Sequence, residues 1–141
     1  EKAGYDLFLS LNGGDCIHCH SGPLMQLNIF ANNGLNATFT DNGKGGITGK
    51  PQDMGMFKVP TLRNIAESAP YMHDGRFQTL DDVIEHYSSG IVMSPTISPT
   101  IEFAAQGGVQ LDAFEKGLIK KFLLTLTDEE FLENPKFAPP N

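Results

Sequence analysis

Cysteine is scarce in this chain of 141 residues: there are two, Cys16 and Cys19. A zinc site built from four cysteines is therefore excluded, and a disulfide closing so short a loop would add little stability. Basic residues are also few, 10 against 17 acidic ones, for a formal net charge of −7. A surface of that sign repels phosphate backbones, so nucleic acid is excluded as a partner class. No run approaches the ~20 consecutive apolar residues of a membrane-spanning helix, so no transmembrane segment is expected. The opening residues Glu1-Lys2-Ala3-Gly4-Tyr5-Asp6 lack a basic region followed by an apolar stretch. They do not read as a signal peptide, which leaves a cytosolic protein, a mature chain or a fragment.

What is present suffices for one domain. Apolar residues make up 40 %. Fifteen glycines and nine prolines are about 17 % of the chain against a usual ~12 %. The domain carries more loop than most of its size.

The two cysteines belong to Cys16-Ile17-His18-Cys19-His20. A redox Cys-x-x-Cys pair is expected after a strand in a βαβ unit. Upstream, however, Tyr5-Asp6-Leu7-Phe8-Leu9-Ser10-Leu11 reads as a short amphipathic helix, stopped at Asn12-Gly13-Gly14. A mixed Cys/His zinc site would need a second ligand pair, and none is evident. The histidine directly after the second cysteine favours a third use, attachment of a c-type haem. Two thiols add across the porphyrin vinyl groups, and the short turn directs His20 onto the iron from one face. His18 then reads as a solvent-facing spacer. A covalent haem would also add the buried apolar surface that a small, loop-rich chain lacks.

Three helices frame this turn. In the first, Gly4 and Phe8 share a face, a flat spot beside an aromatic where another helix can approach. Near the other end Leu111, Phe114, Leu118, Phe122 and Leu126 form a stripe widened by Ile119 and Leu123. Gly117 within that helix costs ~1 kcal/mol relative to alanine, which points to a close crossing there. A middle helix starts at Thr79-Leu80-Asp81-Asp82, with Thr79 as cap and the acidic residues on its positive end. Leu80, Val83, Ile84 and Tyr87 share its buried face, and His86 faces elsewhere. Thr127-Asp128-Glu129-Glu130 resembles a further capping box. Residues 20–61 and 92–108 read as long loops, the first able to wrap a haem edge. The expected fold is mainly α: a single cytochrome c-like domain over residues 1–141 with long loops around one covalent haem.

In these blocks the chain resembles the C-terminal haem domain of the bacterial di-haem cytochrome c peroxidase family. That family includes the di-haem oxidase that matures methylamine dehydrogenase. The matching residues are Cys16-Ile17-His18-Cys19-His20-Ser21-Gly22-Pro23, Phe57-Lys58-Val59-Pro60-Thr61-Leu62-Arg63-Asn64 and Ala69-Pro70-Tyr71-Met72-His73-Asp74-Gly75. Thr79-Leu80 through Glu85-His86-Tyr87 and the closing Phe122-Leu123-Leu124-Thr125-Leu126-Thr127 extend the match. Family members carry two haem motifs in roughly twice this length, and this sequence has one.

The resemblance implies a division of labour. One haem domain reduces hydrogen peroxide, and the domain resembled here accepts electrons from a small cytochrome or cupredoxin and relays them to the second haem domain. It implies one haem c held by Cys16, Cys19 and His20, and export to the periplasm, where such attachment takes place. Calcium bound through backbone carbonyls at Ser68 and Pro70 is implied as well. The sixth iron position has several candidates: Met25, Met54, Met56, Met72, Met93, His73, His86 and Tyr87. Met25 lies too near the attachment site to reach the opposite face. Family members place a methionine where this chain has Tyr87, and the maturation oxidase places a tyrosine there. Tyr87 therefore ranks first, Met93 second and an open position third, with a core tyrosine as the competing reading. Arg63 is a candidate propionate partner or a surface arginine. His73 is a candidate hydrogen-bonding residue at the haem edge or a turn histidine. The competing function is a self-contained haem peroxidase or oxidase with an open iron position.

Overall fold

The computed structural model describes residues 1–138. It is mostly helical, with a two-stranded sheet. Helix α1 (Lys2–Leu9) leads into a 3₁₀ turn at Cys16–His18; strand β1 (Phe30–Ala31), helix α2 (Lys44–Thr48) and strand β2 (Phe57–Lys58) follow. Helices α3 (Leu80–Ser89), α4 (Ala113–Leu124) and α5 (Glu129–Glu133) complete the order.

The first and last long helices cross, and the crossing sits at Gly4. A Cβ on Gly4 would lie 2.0 Å from the Leu118 carbonyl oxygen, so the two backbones touch where no side chain intervenes. Beside it Phe8, 1 % exposed, meets Phe122 edge-on with ring centroids 5.1 Å apart, a favoured aromatic arrangement. Gly117 does not make the expected crossing: nothing lies within 4 Å of a Cβ there. The stripe on α4 is also narrower than its periodicity suggests. Ile119, Phe122 and Leu123 are buried, whereas Phe114 is 73 % exposed. An eight-residue helix is only about 12 Å long, too short to shelter the first turn of α4 as well as its centre.

Helix α3 starts where Thr79 predicts. The Thr79 hydroxyl accepts from the Asp82 amide at 3.1 Å, and the Asp82 carboxylate accepts from the Thr79 amide at 3.0 Å. This reciprocal cap is worth about 1 kcal/mol. Leu80 and Ile84 enter the core with Phe8, Leu62, Tyr71 and Ile119, while Lys116 and Lys120 of α4 pair with Glu85 and Asp81 of α3. His86 departs from expectation, being only 4 % exposed. Its Nε2 lies 2.9 Å from the Asn33 carbonyl, because the segment around Asn33 folds over that side of the helix. At the C-terminal end Asp128, not Thr127, caps α5, accepting from the Phe131 amide at 3.0 Å.

Residues 20–61 hold more order than their sequence suggests. Strands β1 and β2 pair antiparallel, Phe30 opposite Lys58 and Ala31 opposite Phe57. The short α2 is tied down by Lys44 and Thr48, which donate to the two oxygens of Asp53, each at 2.8 Å. Asn32, 2 % exposed, anchors the loop after α3. Its Nδ2 donates to the Ser94 and Thr96 hydroxyls at 2.9 and 3.0 Å, and its amide nitrogen donates to the Ser98 hydroxyl.

Candidate haem-attachment site

The turn that carries Cys16, Cys19 and His20 hangs from the C-terminus of α1. Asp15 precedes it in the left-handed region, at φ 50°, which swings the acid back over the turn. Its carboxylate, with the side chain 6 % exposed, lies 3.0 Å from His18 Nδ1, and burial raises its pKa. His18 is thus half-buried against Asp15 and is not the free solvent-facing spacer the pentapeptide suggests.

Both cysteines are free thiols. Cys16 Sγ lies 3.3 Å from the Gly14 carbonyl, and Cys19 Sγ lies 3.9 Å from the Thr100 hydroxyl. Burial pushes the Cys16 thiol up to about 12 and raises Cys19 as well. Redox-active Cys-x-x-Cys pairs need the opposite, a thiol shifted toward the thiolate. Among the described residues no group of three or more His, Cys, Asp or Glu is placed to hold a metal ion, so a zinc site has no ligand set to draw on there.

The His20 ring is held by backbone. Its Nδ1 is 3.2 Å from the Met25 carbonyl, and the Pro60 carbonyl also interacts with the ring. Burial lowers its pKa, which favours the neutral imidazole a metal requires. With Nδ1 engaged by backbone, Nε2 is the nitrogen left to coordinate. The surrounding strap is fixed too: Leu27 N donates to the Cys19 carbonyl at 2.8 Å, and the Thr61 hydroxyl donates to the Leu24 carbonyl at 2.5 Å.

The other sequence candidates divide. Burial pushes the Tyr87 hydroxyl up to about 12, against the opposing pull of its hydrogen bond with Asn33. Its hydroxyl oxygen accepts from Asn33 Nδ2 at 3.2 Å, and the same amide lies 3.4 Å from Met72 Sδ. Met93 is 51 % exposed, next to Ser94, which Asn32 holds. Arg63 pairs with Asp128 at 3.0 Å. His73 stacks on Phe57 with centroids 3.7 Å apart and planes 12° from parallel. Among the described residues neither Arg63 nor His73 hydrogen-bonds to the turn at residues 16–20. Asn33 is the residue that sequence reasoning passed over. Its only signal was Asn32-Asn33-Gly34, which reads as a turn.

No protein-family model matches the chain. The cytochrome c551 peroxidase of Nitrosomonas europaea is 33 % identical over 150 residues, covering 100 % of this chain and 38 % of that protein. The crystal structure of a MauG-like protein associated with microbial copper homeostasis superposes with a TM-score of 0.84 at 34 % identity, over 99 % of this chain and 50 % of that one. This chain matches the C-terminal domain of the di-haem cytochrome c peroxidases. The methylamine utilization protein MauG of Methylorubrum extorquens, 36 % identical over 100 residues, covers 69 % of the chain. The chain spans less than half of the curated relatives, 38 % of the Nitrosomonas peroxidase and 27 % of this MauG.

Di-haem peroxidases are c-type cytochromes, and the residues of this domain fit that cofactor. Two unpaired, half-buried thiols stand on one turn with an imidazole whose Nδ1 is already engaged. Cys16, Cys19 and His20 are the residues able to hold a haem c.

Proposed function

We propose that this domain carries one covalent haem c and performs one-electron transfer as the relay half of a di-haem cytochrome c peroxidase-like protein. The observation that supports this reading is that two free thiols and an imidazole whose Nδ1 meets the Met25 carbonyl stand together on one short turn. Cys16 and Cys19 would supply the thioethers, and His20 Nε2 and Tyr87 would bind the iron, with Met93 the alternative to Tyr87. The bound haem supplies a one-electron couple whose potential follows its axial ligands. The chain's own part is orientation. The Met25 carbonyl fixes the His20 tautomer, and burial keeps the Tyr87 hydroxyl protonated unless a positive charge stands close to it. Redox exchange is with a small cytochrome or cupredoxin, or with a second haem domain, outside the cytoplasm. Among the described residues no helix is long and apolar enough to cross a membrane. Calcium at the Ser68 and Pro70 carbonyls belongs, in this reading, to the contact with the second domain.

Two measurements test the reading. Reduced holoprotein mixed with hydrogen peroxide and an electron donor is expected to show no sustained turnover; rapid multiple turnover would make the domain itself the peroxidase. Tyr87→Phe is expected to change the ferric absorption spectrum and raise the midpoint potential, since an anionic oxygen donor stabilises ferric iron. An unaltered spectrum removes Tyr87 as ligand.

A further inference from the structure

The Asn32-Asn33-Gly34 turn sits where α3, the loop after α3 and the segment carrying Met72 meet. Asn33 is held by its backbone, whose carbonyl lies 2.9 Å from His86 Nε2, one residue before Tyr87 on α3. Its side-chain amide has two hydrogens and uses both: Nδ2 is 3.2 Å from the Tyr87 hydroxyl and 3.4 Å from Met72 Sδ. The neighbouring Asn32 is locked separately, its own Nδ2 donating to Ser94 and Thr96. The turn is therefore fixed from both sides, and its one amide spans an oxygen donor and a sulfur donor. Partly buried polar groups satisfied in this way specify geometry, because moving one partner leaves another unpaired.

We propose that Asn33 is a positioning residue for the sixth ligand of the haem: its amide fixes the Tyr87 hydroxyl and the Met72 sulfur relative to each other, and so sets which donor atom is offered to the iron. The proposal rests on the reading of Tyr87 as axial ligand. Asn33 acts through Tyr87 and touches no iron. By donating to the phenol oxygen it withdraws electron density from that atom, and its second hydrogen holds the Met72 sulfur beside it. His86 acquires a role as well, holding the Asn33 backbone so that the amide cannot turn away.

The test is a double-substitution cycle on the holoprotein, read by ferric absorption and midpoint potential. Asn33→Leu, of similar size and without the amide, is expected to alter the ferric spectrum. It is also expected to change the ratio of oxidised to reduced iron at fixed potential by at least tenfold, about 59 mV for one electron. In the Tyr87→Phe background the same Asn33 substitution is expected to change that ratio by less than roughly twofold, the mark of an effect that runs through the tyrosine. Equal shifts in both backgrounds, or no shift in either, overturn the proposal while leaving Tyr87 as ligand. A Tyr87→Phe spectrum identical to the parent overturns the ligand assignment itself, and the proposal with it. If Asn33→Leu yields no holoprotein, Asn33→Asp, which keeps the shape and removes the amide hydrogens, is read by the same criteria. Failure of both variants to fold assigns Asn33 a structural role and overturns the proposal.

Discussion

Replacing Cys16 and Cys19 together by serine is expected to give a chain with no covalently held porphyrin, detected as an intact mass equal to the polypeptide alone. Any pigment that remains should pass into acidified organic solvent. Each single variant should retain one thioether and an altered spectrum. The reasoning is chemical, since a serine hydroxyl does not replace a thiol in the attachment. The cost extends to the fold, because Cys16 packs against the central core cluster and the turn beyond it is covered by loop, not by helix. A macrocycle bound there adds apolar surface at about 25 cal/mol per Å², so the double variant should also unfold at markedly lower denaturant than the holoprotein. A double variant that keeps its colour through acid extraction would end the attachment account.

The second large effect lies at the helix crossing. Gly4→Ala is expected to destabilise the domain by about 3 kcal/mol, at the upper end of what overpacking a core costs. The new Cβ would meet the Leu118 carbonyl oxygen at 2.0 Å and its carbon at 2.7 Å, with Phe122 Cβ at 3.0 Å. A flexible side chain could swing aside, but these contacts are chiefly backbone, so α1 or α4 must move as a body and loosen the Phe8–Phe122 contact. Gly117→Ala provides the contrast. Open space surrounds that position, and alanine's better helix propensity should leave stability unchanged or raise it by up to ~1 kcal/mol. Chemical denaturation of the two variants decides between them, and equal losses would refute the crossing as described.

These two glycines also mark what could be read from sequence. Gly4 was identifiable because Phe8 sits one turn on, and together they make a flat spot beside an aromatic. Gly117 carries the same local signature, a glycine inside an amphipathic helix, but only the length and placement of the opposite helix decide whether anything reaches it. Phe114 was misplaced for the same reason. Contiguous signals were legible: the Cys16–His20 pentapeptide and the Thr79–Asp82 cap each lie within a few residues. The β1–β2 pair was not, since two-residue strands show no alternation. Burial of His86 depends on a segment some fifty residues earlier in the chain. Asn33 was hidden by its own composition, because asparagine before glycine signals a turn whether or not its amide has further partners.

The α1–α4 contact has a consequence for the order of assembly. An eight-residue helix in isolation is too short to persist in water, and the surface that shelters α1 lies near the opposite end of the chain. Until α4 has been made and docked, the turn behind α1 has no rigid support. Docking of α4 is therefore the step that gives this turn its backing.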